Sequence, residues 1–301
     1  ILIDMKSSFI KFLIFSIGII LGFNIATSQK VAFIKSSAED SISRFIKKPS
    51  FSNIAKKCEV QEQKNNLLTA QQTLIIGHAY GSSKNHDGNI SAYVSKFLEH
   101  SSDQYKEIIF TGDIIYAPSK KKWNELKKFL KNKGLKMYIA PGNHDVGNSL
   151  DNGYRDIFFQ EFSTSFPIIE ERENKIMIFL DSTISPGKID SEIVKFLENS
   201  TPLNKTVFIF SHHLLRPQPQ LMANGLTGHN LSVNNIDVLH QAKENFKNIF
   251  LISGDSGVTS NKVDCLKFQN IFFISSGIGE TNDDQVLILD GTEILKKKLR
   301  Q

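Results

Sequence analysis

The rhythm of apolar positions changes at Gln71. From there, short apolar runs alternate with stretches whose apolar residues recur three or four positions apart. The first texture belongs to buried strands and the second to amphipathic helices, so the pattern predicts an α/β domain over 71–301. The strand candidates are TLIIG, EIIFTG, KMYIAPG, TVFIFS and NIFLISG. Ile90, Val94, Phe97 and Leu98 form one helix face, with Asp87 as its expected cap. Trp123, Leu126 and Leu130 form a second, stopped by Gly134. Ile189, Ile193, Phe196 and Leu197 give a third, and Ile236, Leu239 and Phe246 a fourth.

The segment ahead of this domain reads differently. Lys6 and Lys11 lead into the uncharged run Phe12–Phe23, and the small residues Ala26-Thr27-Ser28 follow. That is the layout of a secretory signal over 1–28. The run is shorter than the ~20 residues of a spanning helix, but Gly18, Ile19 and Ile20 lead on to Ile25 and Ala26, which keeps an uncleaved membrane anchor open. Either reading expects an exported body, periplasmic, extracellular or tethered to a membrane through its N-terminus. Residues 29–70 are polar, with Pro49 and many Ser and Asn, and read as a spacer with room for one short helix.

Composition adds little, and charge less than it promises. Hydrophobic content of 40% and charged content of 22% are ordinary for a globular protein. The net charge of +5 is concentrated near the ends, at Lys6, Lys11, Lys30, Lys35, Lys47 and Lys48, and at Lys296, Lys297, Lys298 and Arg300. No Arg-rich stripe with interleaved aromatics lies between, so nucleic acid is not an expected partner. Cys58 and Cys265 are the only cysteines, either one bridge in an oxidising compartment or two inert thiols. Without a Cys-x-x-Cys there is no thiolate metal site.

The strand candidates share an ending. TLIIG leads to His78, EIIFTG to Asp113, KMYIAPG to Asn143 and His144, TVFIFS to His212 and His213, and NIFLISG to Asp255. Ligands gather at the carboxyl ends of strands in α/β sheets, and a small residue there lets the chain turn close to a bound group. His78, Asp113, Asn143, His212 and Asp255 make a nitrogen and oxygen donor set without sulfur, suited to Zn, Mn or Fe at an open site. Such a metal lowers the pKa of bound water from about 16 towards about 7, and His144 beside it could protonate a leaving oxygen.

At these residues the chain resembles the calcineurin-like metallophosphoesterases, whose motifs run Asp-x-His, Gly-Asp, Gly-Asn-His-Asp/Glu, a His after a strand, and Gly-His-x-His. FTGD, APGNHD and IFSHH match in that order, within a resemblance spanning roughly residues 73–280. It implies a double β-sheet sandwich flanked by helices in α/β/β/α layers. It also implies hydrolysis of phosphomono- or diesters by a metal-bound hydroxide, with one or two divalent or trivalent ions per chain.

The departures from the family pattern matter as much. In GHAYG, His78 takes the place of the aspartate and Tyr80 that of the histidine; in GDSG, Asp255 and Gly257 take the places of two histidines. Asp113, Asn143, His212 and Asp255 then preserve one metal site with one ligand exchanged, while the other keeps Asp113 and the altered His78. A mononuclear or asymmetric centre is expected. Tyr116 stands where an acidic partner for His144 is often found.

Around this centre, Tyr80, His213, Arg216 and His229 are expected to meet substrate. Asn85-His86-Asp87 repeats the NHD letters but reads as helix entry, and His100 and His240 read as helix-face residues. Two other readings compete. One is a noncatalytic relative that keeps the fold and binds a phosphoester at a degenerate centre. The other takes Gly254-Asp255-Ser256 as a serine-hydrolase motif, which the upstream position of His212 disfavours.

Overall fold

A computed structural model describes residues 55–63, 72–82, 84, 88–147, 153–162, 165–184, 189, 191–201, 204–215, 239, 242–256 and 263–300. In chain order its elements are β1 (Lys56–Lys57), β2 (Gln61–Glu62), β3 (Gln72–Ile76), α1 (Ala92–Ser101), β4 (Tyr105–Thr111), α2 (Lys120–Asn132), β5 (Lys136–Ala140), α3 (Asn143–Val146), α4 (Gly153–Phe162), β6 (Ile168–Glu171), β7 (Lys175–Phe179), α5 (Ser191–Asn199), β8 (Thr206–Ser211), β9 (Asn248–Ser253), β10 (Asp264–Phe268), β11 (Ile271–Ser275), β12 (Gln285–Asp290) and β13 (Glu293–Lys298). Among the described residues no helix is long and apolar enough to cross a membrane.

Two mixed sheets carry the fold. One has the order β1-β10-β11-β9-β8-β7-β6, the other β2-β13-β12-β3-β4-β5. Within them β7, β8 and β9 run parallel, as do β3, β4 and β5, so the carboxyl ends of each group lie at one edge of their sheet. Strands buried on both faces read as unbroken apolar runs; β3, β7 and β8 are buried at every position.

The core has three layers of side chains. Ile75, Ile109, Met177, Phe179, Phe208, Phe210, Ile252 and Leu287 fill the space between the sheets. Phenylalanines there form a ladder: Phe179 stacks on Phe210 at 5.1 Å, and Phe208 on Phe250 at 5.1 Å. A second cluster sits under α1, α2 and α4, a third under α5. The expected α/β/β/α sandwich is the observed architecture.

The helices form for the reasons their spacing gives. Ser119 caps α2 by accepting the Lys122 N–H, and Trp123, Leu126 and Leu130 are its buried face. The α1 cap is Ser91, whose side chain accepts the Tyr93 N–H; Asp87 lies outside the described residues. Of the fourth expected helix face, Leu239 and Phe246 are buried and Ile236 lies outside the described residues.

Residues 55–63, expected as spacer, instead supply an edge strand to each sheet: β1 pairs with β10 and β2 with β13. Their strands are two residues long, charged or polar and exposed, which leaves no apolar signature to read. A disulfide between Cys58 and Cys265 ties this edge to β10, with the Cα atoms 5.0 Å apart.

Candidate metal centre

Both sheets contribute to one place. His78 follows β3, Asp113 follows β4, Asn143 opens α3 just after β5, His212 follows β8 and Asp255 follows β9. The strands approach so closely that side chains are excluded at the crossing. A Cβ on Gly254 would lie 1.8 Å from the Thr111 carbonyl oxygen, and Gly112, at φ +81°, has His212 Cβ 2.5 Å from where its own Cβ would be. His78 and Asp113 themselves adopt positive φ, 53° and 55°. Non-glycine residues seldom hold that conformation, and it clusters where function over-determines the backbone. Here the His78 N–H is tied to the Gly112 carbonyl at 3.0 Å and the Tyr80 N–H to the Asp113 carbonyl at 3.2 Å.

Hydrogen bonds fix which ring nitrogens face inward. His212 Nδ1 lies 3.4 Å from the Thr111 carbonyl, which can only accept, so Nδ1 is the donor. Its Nε2 then faces Asn143 Oδ1 at 3.0 Å, Asp113 Oδ1 at 3.4 Å and Asp255 Oδ1 at 3.8 Å. His78 is built alike: Nδ1 donates to the Ile278 carbonyl at 3.1 Å, and Nε2 stands 3.6 Å from Asp113 Oδ2. Asp113 thus divides the centre, one oxygen toward His212, Asn143 and Asp255, the other toward His78.

The electrostatics follow from burial and neighbours. Burial works to raise the Asp113 pKa, but His212, His78 and His144 together hold it below the carboxylate range. Burial works to lower that of His212, and Asp113 and Asp255 outweigh it, so it sits raised. For His78 burial wins and the pKa is lowered, against the pull of Asp113. A neutral ring with its Nδ1 proton committed presents a lone pair at Nε2, the state of a metal ligand.

His144, half-buried, donates its backbone N–H to Asp113 Oδ1 at 3.0 Å. Its Nδ1 bonds the Tyr116 backbone carbonyl at 3.2 Å, and the two rings stack at 4.7 Å. Tyr80 is buried, its ring 4.3 Å from that of His78 and 5.1 Å from that of His144. Burial first, and the Asp113 charge second, push its phenol well above the usual value, so it stays protonated. His213 is buried too; its Nδ1 is 3.1 Å from Ser182 Oγ, which also accepts the His213 N–H at 3.0 Å. His212, His213 and Asp255 offer ligand atoms that all lie within 4.8 Å of one another. Arg216 and His229 lie outside the described residues.

Asp145 also belongs to this place, though its position in the chain marks it only as the residue after Asn143 and His144. Fully buried, its carboxylate accepts the Gly142 N–H at 2.9 Å and the Ile114 and Ile115 N–H groups at 2.9 and 3.2 Å. It clasps the turn after β4 to the turn after β5. Burial, then the charge of Asp113, push it up to about 7 against those three donors. The available signal was its place directly after Gly-Asn-His.

A sequence profile of the calcineurin-like phosphoesterases matches residues 78–256, the stretch that carries every one of these side chains. The chain belongs to that family. Calcineurin-like phosphoesterases hydrolyse phosphoesters, and a curated relative agrees with that chemistry. It is a probable glycerophosphodiester phosphodiesterase of Arcobacter nitrofigilis, 33% identical over 113 residues, which is 35% of this chain and 41% of the relative. The chain therefore spans less than half of that relative. Among solved structures, a purple acid phosphatase from yellow lupin (Lupinus luteus) seeds superposes with TM-score 0.52 at 11% identity, covering 76% of this chain and 51% of that one. A dimetal phosphatase from Danio rerio gives 0.50 at 11%, over 76% and 99%. At that identity the likeness establishes the fold alone.

Proposed function

We propose that the chain is a metal-dependent phosphoesterase, exported or membrane-tethered, acting on phosphomono- or diesters. The observation that carries this reading is the convergence of His212 Nε2 with Asn143 Oδ1, Asp113 Oδ1 and Asp255 Oδ1 at 3.0, 3.4 and 3.8 Å. Donors about 2.0–2.1 Å from a tetrahedral ion stand about 3.3 Å from one another, so this set fits a Zn-, Mn- or Fe-sized ion. When bound, the ion supplies Lewis-acid polarisation of the phosphoryl group and a water of lowered pKa.

The chain's own residues do the rest. Asp113 and His212 would hold the ion through a negative charge and a lone pair, with Asn143 and Asp255 completing the set. His144, with Nδ1 held by the Tyr116 carbonyl, keeps Nε2 to deliver a proton to the leaving oxygen. Tyr80, buried and protonated, closes the floor between His78 and His144.

The Cys58–Cys265 disulfide supports an oxidising compartment. Segment 1–28, with the layout of a secretory signal, lies outside the described residues.

A second reading, a noncatalytic binding protein, is favoured by one observation: on the Asp113 Oδ2 side stands His78, with Tyr80 beside it in place of a second histidine. The two are separated by measuring bound metal after supplementation with Mn, Fe or Zn, then turnover of p-nitrophenyl phosphate, bis(p-nitrophenyl) phosphate and glycerophosphodiesters. One ion, lost together with turnover in Asp113→Ala, is the expected result. Two ions would complete the His78 side. Metal without turnover would favour the binding protein, and no metal under any supplement would end the proposal.

A further inference from the structure

Helix α1 and the end of β13 enclose a groove of about 550 Å³, away from the residues of the metal centre. Among the described residues, the cations Lys96, Lys297 and Arg300 line it with His100, Tyr93 and Phe97, and no carboxylate does. Cations left together without a counter-charge repel one another, and the repulsion grows as they are taken out of water.

Two of these cations are partly out of water. Lys297 is half-buried, with its Nζ donating to Gln104 Oε1 at 2.9 Å and lying 5.8 Å from the Phe97 ring centroid. Among the described residues it has no acidic partner, and burial pushes its ammonium below the usual lysine range. Arg300 lies over the Tyr93 ring at 3.3 Å, donating through Nη1 to Asn282 Oδ1 at 2.6 Å and through Nη2 to the Glu280 carbonyl at 3.3 Å. Its Nε is buried and, among the described residues, has no acceptor. The rings and carbonyls here satisfy geometry but carry no net charge.

In the adjoining turn Glu280 offers Arg300 only its backbone carbonyl, and Asp284 is already engaged. The Leu299 N–H meets the Asp284 carbonyl at 2.9 Å, but the Asp284 carboxylate accepts from the Gly279 and Thr281 N–H groups and the Thr281 hydroxyl. What the groove lacks is an anion to balance these charges, one with several acceptor oxygens for guanidinium and ammonium donors. A phosphate has that form.

We propose that the groove between α1 and the end of β13 binds a phosphate group, either free or at the head of a lipid. The proposal uses none of the metal-centre residues, so it stands or falls separately from the function proposed above.

The test follows the orphan donor itself. In ¹⁵N-labelled full-length protein, the Arg300 Nε–H resonance, assigned with Arg300→Lys, is monitored while inorganic phosphate replaces chloride at constant ionic strength. A saturable shift is expected, unchanged in Asp113→Asn and weakened about tenfold in affinity by Lys297→Ala, with a smaller loss in the exposed Lys96→Ala. Co-flotation with phosphatidic acid vesicles against phosphatidylcholine vesicles, in wild type and Lys297→Ala, distinguishes the source. Selective flotation lost in the variant identifies a lipid head, and a phosphate shift without flotation identifies free phosphate. Circular dichroism verifies that each variant folds. An Arg300 resonance indifferent to phosphate, combined with no preference for the acidic vesicles, would overturn the proposal. So would equal phosphate affinity in both lysine variants and wild type.

Discussion

His144 Nδ1 finds its acceptor in the backbone carbonyl of Tyr116, 3.2 Å away, and not in a carboxylate. A carbonyl only accepts, so the bond fixes the proton on Nδ1 and leaves Nε2 as the exchanging nitrogen. The missing acid at position 116 thus costs the site a charge but not an oriented imidazole.

This separates two variants. His144→Ala should lower kcat by about 10²–10⁴-fold, the range of a positioned acid. Tyr116→Ala keeps the carbonyl and removes the stacked ring, so its loss should stay under about tenfold, near 1 kcal/mol. The comparison is made with esters of good and poor leaving groups. A general acid matters most for the poor ones, and an equal loss for both would remove His144 from that role.

The crossing of the two sheets sets a second prediction. At Gly254 an added methyl would meet the Thr111 carbonyl at 1.8 Å and Thr111 Oγ1 at 2.6 Å, so the backbone itself must give way. Gly254→Ala should destabilise by about 3 kcal/mol or more, above the usual range for overpacking. Gly153, at the start of α4, has nothing within 4 Å of its would-be Cβ. Gly153→Ala should stabilise by about 0.5 kcal/mol through the unfolded chain. Chemical denaturation of both variants checks the contrast.

How much of this was legible varies residue by residue. The predicted strand ends at His78, Asp113, Asn143, His212 and Asp255 do converge, because apolar runs buried on both faces declare themselves and the polar residue after each has one place to go. The sequence does not reveal that Tyr116 acts through its carbonyl, since any residue carries that acceptor. Asp145 stays hidden because nothing in the letters Gly-Asn-His-Asp shows that its carboxylate clasps two turns. Nor could the positive φ of His78 and Asp113 be read, for even these types, more tolerant of it than most, adopt it only where the surroundings impose it. β1 and β2 escaped because exposed, polar, two-residue edges have no period.

Ser182 holds the ring of His213 at 3.1 Å and its backbone N–H at 3.0 Å. A turn fixed in this way is itself anchored, since Arg155 reaches Asp181 Oδ2 at 2.5 Å and Thr183 Oγ1 at 2.6 Å from α4. His213 also offers a ligand atom within 4.8 Å of those of His212 and Asp255; if it joins the four ligands named above, Ser182→Ala should weaken metal affinity about tenfold, the usual effect of losing a partner behind a ligand. Ser182→Thr, which restores the hydroxyl, should recover most of it. Metal titration with a competing chelator measures both. Unchanged affinity in Ser182→Ala would place His213 outside the ligand set.

Far from the metal centre, Arg172 joins the sheets. It bonds both oxygens of Glu107 on β4 at 2.9 Å, Glu170 on β6 at 2.8 Å and the Tyr138 hydroxyl on β5 at 2.9 Å. Burial works to raise the Glu107 pKa, but the hydrogen bonds and charge of Arg172 outweigh it and hold it below the usual glutamate value. A carboxylate depressed in the folded state stabilises the protein above its unfolded pKa, about 4.3, and that contribution disappears as pH falls through the folded value. Arg172→Met should therefore cost about 1–2 kcal/mol at pH 7, a figure kept low for partial exposure, and less at pH 3, below the unfolded glutamate value. Urea unfolding at both pH values tests the sign, and a gap that widened toward acid would contradict it.

The disulfide offers a test that depends on chain topology alone. Cys58 and Cys265 are separated by 207 residues, and their bond holds β1 on β10 at the edge of the seven-stranded sheet. Closing so long a loop removes unfolded-chain entropy worth about 5 kcal/mol or slightly more in the simplest account, with engineered cases often giving less. Cys58→Ser should thus lower Tm by several degrees while leaving metal affinity near wild type, because no ligand lies on β1 or β10. Reduction of the wild-type protein should reproduce the shift, whereas Cys58→Ser should be insensitive to reductant. If reduction left Tm unmoved, the 55–63 edge would contribute little to the fold, and the disulfide would no longer argue for an oxidising compartment.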